Sequence, residues 1–214
     1  DEAFVRSLIR ERYPDVTFEV GSYDTFDYAR TNGLSVEMAA RELRYDRFAR
    51  LREAYDASAI AVAHHADDQV ETALINLARG TGGRGLAGMR LYDPRSALWR
   101  PLLTVSRREI LRYLESRSLP HVEDSTNADL TIRRNLIRHR LIPLFEEINP
   151  SFRQSMLETI DHLREEQDYI DLGVRRALDT LRDAATESLD LSGDRYAIYR
   201  ILTDNAGLTA TQAE

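Results

Sequence analysis

The chain has 214 residues, of which 43% are hydrophobic and 30% charged, and its formal net charge is −7. This length and balance suit a globular protein of one large or two modest domains, and the acidic total argues against indiscriminate nucleic-acid binding. No apolar run approaches the ~20 residues of a membrane span, no signal-peptide pattern opens the chain, and zero cysteines exclude disulfides, thiolate metal sites and iron–sulfur clusters, so a cytoplasmic protein with no membrane partner is expected.

In chain order, Asp1 to Tyr13 reads as a helix with Phe4, Leu8 and Ile9 on one face. The first residue is Asp, not Met, which leads to the expectation that sequence lies upstream. Val16 to Val20 alternates like a short strand. A helix is expected after Gly33, capped by Ser35 and running to about Tyr55. The apolar run Ser58 to Ala63 suits a buried parallel strand, and a helix from about Asp67 to Arg79 should follow it. The glycine-rich stretch Gly80 to Gly88 reads as a helix C-cap and loop. Helix and strand in alternation give an α/β fold with an open parallel sheet.

Ser106-Arg107-Arg108-Glu109 is a capping box that opens a helix to about Ser118. Asp124-Ser125-Thr126-Asn127 is turn chemistry. From Thr131 the chain reads helical, with interruptions at Pro143 and at Asn149-Pro150. Ser151 to about Ala185 reads as one or two long amphipathic helices leading into a smaller all-helical domain. Thr209-Ala210-Thr211-Gln212 would cap a helix that Glu214 cuts short, so more chain is expected beyond it. The domains expected are therefore 1–148 and 149–214.

The densest chemical signal is Ala61 to Met89. In an open α/β sheet, ligands bind beyond the carboxyl ends of the strands, and His64, His65, Asp67 and Asp68 fall where the 58–63 strand hands over to its helix. At 100° per residue, Val70, Ala73, Leu74 and Leu77 form an apolar stripe, while Asp68 and Glu71 lie about 60° apart and off it. Two carboxylates one turn apart can bind a cation or help hold Mg²⁺; they can equally complement the helix dipole. Adjacent histidines point in different directions, so His64 and His65 read as hydrogen-bonding rather than as metal ligands, and no metal ligand is assigned. Arg41 and Arg44, one turn apart on the Ser35 helix, can neutralise phosphate or carboxylate, or pair with Glu37 and Glu42. All 29 basic residues are Arg, which fits phosphate and base recognition or simply genome composition. Thr131 to Arg140 holds Arg133, Arg134, Arg138 and Arg140 with no acid.

Four blocks carry a resemblance: SVEMAARELRYDRF (35–48), HHADDQVETALINLARGTGGRGLAGM (64–89), RPLLTVSRREI (100–110) and EDSTNADLTIRRNLIRHRLIPLFEEINP (123–150). In this order they resemble the tRNA(Ile)-lysidine synthase family of the N-type ATP pyrophosphatase superfamily. The resemblance implies a Rossmann-like sheet of the adenine nucleotide alpha hydrolase type and a ligase that uses ATP and Mg²⁺. It also implies tRNA(Ile) with a CAU anticodon and free L-lysine as partners, with a homodimer possible.

The implied reaction adenylates the C2 carbonyl of the wobble cytidine; the lysine amine then displaces AMP. Carried over by position, Asp68 and Glu71 would contact the lysine amine or metal, and Arg44 would serve the reaction centre. Arg41, His65 and Asp67 would shape the pocket, Arg84 would lie near RNA or nucleotide, and Arg133, Arg134 and Arg138 would bind tRNA or pack structurally. The superfamily's Ser-Gly-Gly-x-Asp-Ser loop does not occur in the 214 residues, which leads to the expectation of a chain without its PP-loop, active only with that loop present. A tRNA thiolase of the same superfamily is the alternative enzyme, although sulfur transfer would lack a cysteine carrier. A non-catalytic RNA-binding module is the alternative outside catalysis.

Overall fold

The computed structural model describes residues 2–122 and 132–181, with side chains to residue 176. Expectations for 124–127 and for 209–212 lie outside the described residues. Helix α1 (Glu2–Arg12) is followed by α2 (Thr25–Asn32), α3 (Val36–Ala54), strand β1 (Ile60–Ala61), α4 (Ala66–Arg79) and α5 (Gly83–Leu86). Strands β2 (Tyr92–Asp93) and β3 (Leu98–Trp99) precede α6 (Arg107–Ser116). Then come α7 (Arg133–Leu136), a π-helical turn (Ile137–Leu141), α8 (Ile142–Ile148) and α9 (Phe152–Leu181).

Among the described residues the sheet has three strands in the order β1-β3-β2. β1 runs parallel to β3, with Ile60 opposite Leu98, while β2 is antiparallel to β3. The sheet is thus mixed, not wholly parallel: only four residues separate β2 from β3, enough for a hairpin but not for the crossover a parallel neighbour requires. Asp93 shapes that hairpin by accepting from Arg95 N and Ser96 Oγ, and these bonds hold its carboxyl below the usual carboxylate range, Ser96 foremost.

Val16 to Val20 is not a strand. Both valines are exposed and the segment finds no neighbouring strand among the described residues, so alternation alone leaves it extended coil. The helix α2 was not anticipated, although its signals are present. Asp24 accepts from Asp27 N at 2.8 Å, and Gly33 closes it at φ 64°.

Helix α4 is the centre of the packing, in contact with α5, α7, the π-turn and α9. Val70 and Leu74 form the core with Ile137 and Ile142, and Phe145, Phe152, Met156 and Leu157 close around them. Val70 and Ala73 are fully buried, but Leu77 at the end of the predicted stripe is exposed, so the stripe outruns its cover by one turn. Pro143 does not interrupt the helix. It enters α8 in its first turn, directly after the widened π-turn, where the missing N–H of proline cannot break a regular α ladder. Asn149-Pro150 does end α8, and Phe145 stacks on Phe152 across the corner at 4.5 Å between centroids. Helix α9 lies along α4, α5 and α8 with Ile160 and Gln167 buried. The segment expected as a linker therefore packs on the α/β body. No helix among the described residues is long and apolar enough to cross a membrane.

Candidate active site

The parallel strands β1 and β3 are each followed by a helix, α4 and α6, and the two helix N-termini lie side by side. Ala66 N donates to Val105 O at 2.9 Å, and Arg107 N donates to Asp67 Oδ2 at 2.8 Å. A cleft of about 640 Å³ opens beside them, bordered by Ala66, Asp67, Ser106, Arg153 and Glu146. This is the rim where an α/β sheet takes its ligands. Asp67 is held there on both oxygens, since Oδ1 accepts from Arg153 Nη1 at 2.7 Å while Arg153 Nε donates to Glu146.

One helix face round from Asp67 stands a second cluster. Asp68 Oδ2 accepts from the backbone N–H of His65 at 3.0 Å and so caps α4. The His65 ring lies 3.5 Å from Asp68 and 3.7 Å from Asp67. Glu71 is 0% exposed. Arg138 donates to its two oxygens at 2.6 and 3.1 Å, and Arg134 Nε lies 3.0 Å from Oε2. That last contact is an ion pair and not an aligned hydrogen bond, because Arg134 Nε lacks a partner by bond geometry. Arg134 Nη2 donates to Thr72 Oγ1 at 2.9 Å. The guanidinium of Arg138 is held above the usual arginine range by its bond to Glu71, against the effect of burial.

His64 completes the cluster. Its Nδ1 accepts from Arg100 Nε at 3.3 Å, which assigns the neutral ring a proton on Nε2. Burial lowers its pKa, and the charges of Arg100, Arg134 and Arg41 lower it further against the pull of Asp68. His64 is therefore neutral at pH 7.

The structure thus brings Asp67, Asp68, His65, Glu71, Arg134 and Arg138 together at the start of α4, with Arg41 within electrostatic reach. It does not gather every residue singled out from sequence. Arg44 is exposed and has no ion pair with the cluster among the described residues, and Arg133 is exposed as well. Arg84 pairs with Asp171 of α9 at 2.8 Å, away from His65 and Asp67. Arg134 and Arg138 turn inward to Glu71. Arg100 and Arg153 were not singled out from sequence. Arg100 carried a weak signal, since it directly follows a strand whose parallel neighbour ends at the chemical segment.

Among the described residues no group of three or more His, Asp or Glu side chains can hold a metal ion, and the oxygens of Glu71 and Asp67 already face arginines.

Residues 1–145 match the PP-loop domain family, and the chain belongs to it. Its relatives narrow the class: it is similar to tRNA(Ile)-lysidine synthases of several bacteria. The Porphyromonas gingivalis enzyme is 41% identical over 204 residues, covering 95% of this chain and 44% of the relative. That of Bacteroides thetaiotaomicron is 48% identical over 166 residues, covering 77% and 38%. That of Chlorobaculum tepidum is 38% identical over 199 residues, covering 92% and 57%. The chain spans about half the length of the curated relatives it matches. The family match corrects the expectation of a chain without its PP-loop portion, because it begins at residue 1. The Ser-Gly-Gly-x-Asp-Ser string itself does not occur in the 214 residues.

Proposed function

We propose that this protein converts the wobble cytidine of tRNA(Ile) with a CAU anticodon to lysidine, using ATP and free L-lysine. The C2 carbonyl oxygen attacks the α-phosphorus of ATP and pyrophosphate leaves. The ε-amine of lysine, after losing a proton, adds at C2, and AMP departs with the oxygen. Such a site must position three reactants and neutralise phosphate charge.

The observation that carries this reading is the mixed cluster at the first turn of α4, at the ligand rim of the sheet. Asp68 is the carboxylate suited to the incoming ammonium: it is buried, but 11% of its side chain stays exposed against none for Glu71, and its nearest arginine, Arg138, is 3.8 Å away. Glu71 has no exposure and acts through Arg134 and Arg138, which it fixes as counter-charges for the adenylate phosphate. Arg41 adds positive charge from α3, His65 and Asp67 frame the pocket, and Arg44 adds charge from an exposed position on the same helix. In this reading residues 1–148 carry the chemistry, and the chain from 149 begins a helical RNA-binding unit.

The test uses the full-length protein, tRNA(Ile) transcript, ATP and radiolabelled lysine. Asp68→Asn keeps the acceptor that caps α4 and removes the charge. We expect kcat/KM for lysine to fall about 10- to 100-fold, the range of one charge-assisted hydrogen bond, while pyrophosphate release from ATP and RNA persists. Unchanged lysine dependence in Asp68→Asn would rule out this assignment.

A further inference from the structure

A second concavity, of about 810 Å³, lies between the β2–β3 hairpin and α9, apart from the cleft at Asp67. Six arginines line it, Arg84, Arg90, Arg95, Arg100, Arg164 and Arg175, against three aspartates, Asp93, Asp168 and Asp171. In a chain of net charge −7 this is a local reversal of sign.

Its arginines divide by task. Arg84 and Arg90 are neutralised by Asp171 and Asp168 and tie α5 and the turn after it to α9. Arg164 donates to the carbonyls of Ala87 and Met89. Arg95, at the hairpin tip, and Arg175, on α9, are exposed and have no ion pair among the described residues. Asp93 fixes the backbone on which Arg95 stands. Between these walls Tyr92 is 46% exposed, a ring large enough to stack a base. Arg100 lies at the inner end of the groove, and its Nε donates to His64 of the α4 cluster. The groove therefore adjoins the proposed reaction centre through a single hydrogen bond.

We propose that this groove binds a single-stranded segment of the substrate RNA, with its phosphates on Arg95 and Arg175 and a base on Tyr92, and so leads the reacting nucleotide toward His64 and Asp68. Unpaired bases are read by stacking on aromatic rings and by cationic tracks along the backbone, and the groove supplies both. The proposal rests on the RNA-modifying reading above.

The probe is an anticodon stem-loop oligonucleotide of tRNA(Ile), with affinity to the full-length protein measured by fluorescence anisotropy across a salt series. ATP binding is measured in parallel. In Arg95→Ala/Arg175→Ala we expect roughly tenfold weaker binding near physiological salt. The slope of log K against log salt should shrink by about 1.4, the release of two single-strand phosphate contacts. Tyr92→Ala should weaken binding roughly tenfold with the slope unchanged, and both variants should keep wild-type melting temperatures. If the wild type binds the stem-loop and the variants match it in affinity and slope, the groove proposal is overturned and the RNA reading survives. Absence of RNA binding by the wild type overturns both. Loss of ATP binding in the arginine variant with RNA binding intact puts a nucleotide in the groove and overturns the RNA track.

Discussion

Glu71 has no solvent contact, and a carboxylate so placed is tolerable only because two guanidiniums meet it. Replacing it leaves Arg134 and Arg138 facing a vacated polar pocket. Glu71→Ala should therefore lower unfolding free energy by about 3–5 kcal/mol, read from urea midpoints at constant m-value; a loss below 1 kcal/mol would mean the arginines find other partners. Helical spacing in the sequence put Asp68 and Glu71 on one side of α4, off the apolar stripe. It had no means of separating an acid at the rim from an acid inside, because Glu71 meets Arg138 across 67 positions of chain. The roles of Arg134 and Arg138 were hidden for the same reason.

Local chemistry made some elements legible and left others mute. The capping box of α6 is present as read, with Ser106 Oγ accepting from Glu109 N and Glu109 accepting from Ser106 N. Ser106→Ala should cost about 1 kcal/mol, measurable as a shift in thermal midpoint, and an unshifted midpoint would mean that packing alone holds the helix start. The helices α3 and α4 begin within a residue of their expected positions because Ser35 and the 64–68 run are start signals in themselves. Strands β1 to β3 span only two residues each, too short for alternation to register, so the hairpin that walls the arginine groove gave no sign. Val16–Val20 erred in the opposite direction, with a pattern present and no partner to pair it.

At the scale of the molecule, two parallel strands, the helices after them and the long α9 enclose the α4 cluster, and acidity should test that enclosure. His64 has a pKa below the ordinary histidine value, chiefly through burial. Above about pH 6.5 the ring is neutral folded or unfolded, and stability is independent of it. As pH falls below that value the unfolded chain takes a proton that the folded chain refuses, so stability declines until the folded value is reached. The limiting slope is about 1.4 kcal/mol per pH unit. Thermal midpoints of wild type and His64→Asn between pH 7.5 and 5 should diverge in slope, with the wild type falling faster; parallel curves would refute the assignment. Gln69 bears on the same enclosure from the other side. Its amide donates to Met89 O and accepts from Met89 N, at 2.8 and 2.7 Å, pairing as a peptide group would, and Gly88 beside it at φ 67° leaves no room for a side chain. One glutamine thus counterfeits the strand that the neighbouring backbone lacks. The arginine-bearing wall takes part of its alignment from a group that, unlike true backbone, a single codon change can take away.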